Sequence, residues 1–128
     1  GVVLVGMGTV MPEVLTAADI LEEDGIATDV VCVTSADLLF RATRAERGLD
    51  PGSPGILREL FPRSWPMVTV LDGHPSALAF IGSARAVPTT ALGVTDFGQS
   101  GDPESLYEHH MIDSEAILGA ALDLIGTA

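Results

Sequence analysis

The stretch from Val2 to Ser35, "VVLVGMGTVMPEVLTAADILEEDGIATDVVCVTS", decides the fold. Val2 to Val5 is an unbroken β-branched and leucine run, the pattern of a strand covered on both faces. Gly6 and Gly8 end it, and from about Pro12 to Glu23 the residues Val14, Ala17, Ala18 and Leu21 recur at helical spacing. Gly25 stands where a left-handed cap closes a helix, and Thr28 to Val33 forms a second strand that reads as buried on both faces. Strand, helix and strand in so short a span predict a right-handed crossover and a parallel sheet.

The alternation continues outward from there. Thr34 or Ser35 can cap a helix that runs to about Arg47, before Gly48. Between Leu49 and Pro66 the pattern lapses. Pro51, Pro54, Pro62 and Pro66, with Gly52 and Gly55, predict an irregular connection holding one helical turn at Ile56 to Leu60. Met67 to Leu71 then reads as a third strand, Pro75 to Ala84 as a short apolar helix, and Thr89 to Val94 as a fourth strand. Asp113 caps a last helix in which Ile117, Leu118, Ala121, Leu122 and Ile125 form one apolar stripe. Such an order predicts one α/β domain over residues 1–128, its largely parallel sheet covered by helices on both faces.

Composition narrows the partners. The 128 residues carry 18 Asp and Glu against 6 Arg, with no lysine, for a formal net charge of −12. That field repels phosphate backbones and anionic lipid, so neither nucleic acid nor a membrane surface suits it. The apolar runs are too short to span a bilayer, and no basic region precedes the first of them, which predicts a cytoplasmic protein. Cys32 is the single cysteine, so no disulfide forms within the chain; inside "DVVCV" it reads as a small buried hydrophobe. A chain that opens at Gly1 directly into a strand is expected to be a piece of something larger.

Several short motifs suggest chemistry, and each meets a physical objection. Asp96-Phe97-Gly98 matches a kinase metal loop, but a kinase also needs a phosphate-holding lysine and a metal-binding asparagine, and the chain has neither. The missing lysine also removes P-loop NTPases and Schiff-base enzymes. Gly98-Gln99-Ser100-Gly101-Asp102 falls between a strand and a helix as a hydrolase elbow does, yet its final glycine is replaced by Asp102. A structural turn, with the Ser100 hydroxyl bonding backbone groups, is the better reading. His109 and His110 point about 100° apart on a helix, which suits capping and interface roles better than a shared metal. Gly6-Met7-Gly8 resembles the start of a dinucleotide loop, but Met11 stands where the third glycine belongs. His74, at the C-terminal end of the third strand, is the most suggestive polar residue, and with Gly8 and Asp96 it marks a crevice where open α/β sheets place ligands.

Taken together, "VTS" at Val33 to Ser35, "DFGQSG" at Asp96 to Gly101, "LYEHHMID" at Leu106 to Asp113 and the Ala-rich closing helix resemble the C-terminal domain of the thiamine-diphosphate-dependent transketolase family. The paired histidines and the acidic turn after them are closer to the homodimeric pyruvate dehydrogenase E1 branch than to transketolase itself. The resemblance implies a three-layer α/β/α domain whose mixed, mostly parallel sheet has one antiparallel edge strand. It also implies a noncatalytic lobe. Thiamine diphosphate and magnesium would be held by preceding domains at the interface of two subunits, and a lipoyl-bearing E2 component would receive the acyl group. On this reading Gly98 and Gly101 permit unusual backbone angles, Phe97 anchors the turn, and Asp102 caps a helix starting at Pro103. His109 and His110 then lie towards an interface. The alternative from another class is an independent small-molecule module using the crevice by Gly8 and His74.

Overall fold

The structure, a computed structural model, describes residues 1–49, 55–95 and 110–126. Strands β1 (Val2–Met7), β2 (Thr28–Cys32), β3 (Met67–Leu71) and β4 (Thr89–Leu92) form one sheet in the order β2-β1-β3-β4. All pairings are parallel, with Val5 opposite both Val31 and Thr69, and Thr69 opposite Ala91. Helices α1 (Met11–Glu23), α2 (Ala36–Glu46), α3 (Ile56–Leu60), α4 (Ser76–Arg85) and α5 (Ser114–Gly126) cover it, and a 3-10 turn at Gly8–Val10 joins β1 to α1. The chain moves from β1 outward to β2, then returns across β1 to β3. With right-handed crossovers that reversal puts α1 and α2 on opposite faces.

Two cores result. Val2, Leu4, Val68 and Val70 pack under α1 and α5 with Val14, Leu21, Ile117 and Ala121. Val3, Val5, Met67 and Leu71 pack on the other face with Leu39, Leu57, Phe61, Leu78 and Ile81 from the connection, α2, α3 and α4. The alternate residues of β1 and β3 therefore feed separate apolar layers, which is why both strands read as continuous hydrophobic runs.

The helix ends explain where each element stops. Ser35 caps α2 by accepting from the Leu38 amide at 3.3 Å. Gly25 has φ +80, and the Ile26 amide donates to the Leu21 carbonyl at 2.9 Å, closing α1 in the left-handed manner expected. α4 closes in the same way, but its left-handed residue is Ala86, at φ 55. At α5, Asp113 accepts from the Ala116 amide at 3.0 Å, and Glu13 of α1 accepts from the Ser114 amide at 3.1 Å. Two carboxylates thus serve the start of α5, one of them from a neighbouring helix.

Two expectations are corrected. No antiparallel edge strand is present among the described residues; parallel pairing runs through β4, and the Val94 amide carries it on to the Gly73 carbonyl at 2.7 Å. β2, expected to be buried on both faces, lies on the sheet edge, so Val30 is 36% exposed and Cys32 is exposed rather than buried. Its apolar sequence serves one helix layer while its outer side faces solvent.

Candidate strand-end crevice

All four strands point the same way, so their C-terminal ends share one rim. The order reverses between β1 and β3, whose following helices lie on opposite faces, and that reversal is where open α/β sheets form a ligand crevice. Gly8 and His74 both stand on this rim, after β1 and β3 respectively. Their placement agrees with the sequence. What lies between them was not foreseen.

Asp72 occupies that space. Its Oδ2 accepts a hydrogen bond from the Thr9 hydroxyl at 2.9 Å, tying the rim of β3 to the turn after β1. Gly8 has φ +83, and a side chain there would begin 2.9 Å from Asp72 Oδ1, so the glycine is required both by its angle and by the carboxylate. A negative group thereby sits beside the start of the 3-10 turn and α1, where a dinucleotide fold would place phosphate. Coulomb repulsion at such short range excludes an anion from the same spot. The absent third glycine and the presence of Asp72 point to one conclusion: the β1 turn is a structural joint braced by its own carboxylate.

His74 is held from the other side. The Ser76 amide donates to Nδ1 at 3.2 Å, and the Ser76 hydroxyl lies 2.8 Å from the same nitrogen. In the neutral ring this leaves the proton on Nε2. Gly93 presses on the same loop; a side chain there would begin 2.5 Å from the Gly73 carbonyl. The rim therefore presents a preset histidine donor beside a carboxylate whose hydrogen bonding is partly used.

The remaining predicted residues divide simply. His110 is half-buried in the turn leading to α5. Asp96, Phe97, Gly98, Ser100, Gly101, Asp102 and His109 lie outside the described residues. Among the described residues no group of three or more His, Cys, Asp or Glu could hold a metal ion. Nor is any described helix long and apolar enough to cross a membrane. Asp72 and Thr9 were missed because the pair is local only in space, the two residues being far apart in sequence. The available signal was a carboxylate directly after a buried strand, level with a glycine turn.

Fold and rim together define a three-layer α/β domain with a self-braced crevice. The chain belongs to the family of transketolase-like TK C-terminal domains, whose model matches residues 1–113. It is 27% identical over 124 residues to "Transketolase 2" of Xanthobacter flavus, a match covering 97% of this chain and 17% of that protein. Among solved structures, "Split gene transketolase, inactive beta4 tetramer" superposes with a TM-score of 0.71 at 24% identity, over 98% of this chain and 39% of the other, a likeness of fold. The chain thus spans well under half the length of either relative.

Proposed function

We propose that this chain is the noncatalytic C-terminal domain of a larger thiamine-diphosphate-dependent enzyme, and that it supports the assembly and active-site architecture of that enzyme. The family match over residues 1–113 carries the proposal. A crevice braced by the Thr9–Asp72 hydrogen bond fits a supporting lobe. The cofactor would supply the reactive carbanion from its own site on other parts of the enzyme. This domain contributes rigid surface: a sheet packed on both faces, offered to preceding domains and a second subunit.

For the parent reaction we favour two-carbon transfer between sugar phosphates, since both relatives carry the name transketolase. The pyruvate dehydrogenase E1 reading, with its lipoyl-bearing E2 partner, rests on residues 106–113 and has no support from either relative. The parent protein separates the two. Two-carbon transfer without pyruvate decarboxylation supports the first; the reverse result overturns it. Substituting Phe97 or Gly98 should lower stability or subunit assembly, whereas full assembly with lost turnover would show that the segment takes part in chemistry. A rival reading, an independent small-molecule module, is favoured only by the preset His74 donor. It requires a metabolite that raises the melting temperature of the protein and loses that effect in His74→Ala.

A further inference from the structure

β2 ends the sheet on one side, and its phase in the ladder shows which backbone groups it leaves over. The Val33 amide donates to the Gly6 carbonyl and the Ala27 carbonyl accepts from the Val2 amide, so Ala27, Asp29, Val31 and Val33 turn their polar groups to β1. Those of Thr28, Val30 and Cys32 point outward. Glu22 occupies the Thr28 amide at 2.9 Å. Val30 and Cys32, both exposed, have no partner for N–H or C=O among the described residues. A bare edge of this kind is ordinarily blunted by lysine, proline or a bulge, and β2 has none of them.

Apolar side chains gather on both sides of the same edge. Leu15, Val30, Leu38 and Leu60 are half of the exposed large apolar residues among the described ones, and all four stand here. Leu15 lies two turns before Glu22 on α1, and therefore on the side of that helix turned to β2. On the opposite face Leu38 and Leu60 line a cleft of about 210 Å³ with Val31, Cys32 and Leu39, room enough for an aliphatic side chain. Single exposed leucines are ordinary, but four around one unpaired strand form a patch. Charge decides which occupant can reach it. With a net charge of −12 a second copy is repelled over most of the surface, yet the one charge on β2, Asp29, is neutralised by Arg63. A strand apolar on both faces calls for a partner strand of the same kind, and β2 is itself such a strand.

We propose that two copies of this chain pair through β2, antiparallel about a two-fold axis at Val31, so that their sheets become continuous. In that register Val30 of each copy exchanges N–H and C=O with Cys32 of the other, which uses every free group of both residues and leaves the Glu22 bond to Thr28 intact. This names a surface for the second subunit of the function proposed above, and rests on that reading only there. Val31 then faces its own counterpart at a Cα separation of about 4.5 Å, within disulfide reach. In the whole native protein, V31C in a C32S background should form a disulfide between copies on mild oxidation, located by mass spectrometry of the linked peptides. V30C in the same background, out of register with itself, should not. V30P removes only an outward amide, which an edge strand tolerates, and should cut the V31C yield tenfold or more at an unchanged melting temperature. V30K, which keeps the backbone amide, should cut it as far by bringing two charges together. No link from V31C, an equal link from V30C, or a yield that V30K leaves intact overturns the pairing. Two-carbon transfer by the wild-type protein is scored separately, so an active parent without the link refutes the pairing and spares the proposed function.

Discussion

Thr69 carries a hydroxyl into the middle of the sheet, fully buried, and among the described residues the hydroxyl has no hydrogen-bond partner. A buried donor left unpaired costs about 1–3 kcal/mol, so Thr69→Val, which keeps the shape, should stabilise the fold by about 1 kcal/mol in urea unfolding. Ala86 offers a second gain. Its left-handed angle is strained for a residue with a side chain, and Ala86→Gly should add about 1 kcal/mol by the same measurement. Gly82 works in the opposite direction: a methyl group there would begin 1.8 Å from Thr89 Oγ1 and 2.6 Å from Thr89 Cβ. Gly82→Ala should cost about 2 kcal/mol or more, and Thr89→Ala should relieve only part of it, because the β-carbon still collides. None of these three positions is legible in sequence. A buried threonine in a strand, an alanine after a helix and a glycine within one look ordinary until the opposing element is in place.

At the scale of elements, the sequence settles type and extent where local chemistry is decisive. β3 and α3 have the predicted bounds, because Met67–Leu71 is flanked by Pro66 and Asp72, and Ile56–Leu60 lies between proline-rich segments. Asp113 caps α5 as its position before the apolar stripe implies. The edge position of β2 could not be read, since "DVVCV" is equally compatible with an inner or an outer strand; only the return of the chain across β1 decides it. The brace from Glu13 to Ser114 joins elements at opposite ends of the chain and was invisible for the same reason. It yields a prediction. In Glu13→Ala, amide exchange in the first turn of α5 should quicken several-fold while the amides of β1 stay protected, since one hydrogen bond to a charged group is lost there.

Across the whole molecule, the charge of −12 opposes compaction, with repulsion spread over the surface. Raising salt from about 0.02 to 0.3 M shortens the screening length to below about 10 Å, and melting should move up by a few degrees before any specific ion effect enters. The fold class was legible because strand and helix periods alternate from Val2 onward. The crevice was half legible: Gly8 and His74 announced the rim, while the carboxylate that closes it became evident only when β1 and β3 lay side by side. That adjacency bears on how the molecule is made. β1 is deeply covered and precedes the other strands of this domain along the chain, yet its inner neighbour begins at Met67, opposite Val3. A growing chain must therefore shelter Val2 to Val5 until much later residues emerge, so slow translation or a holding chaperone should govern its yield in cells.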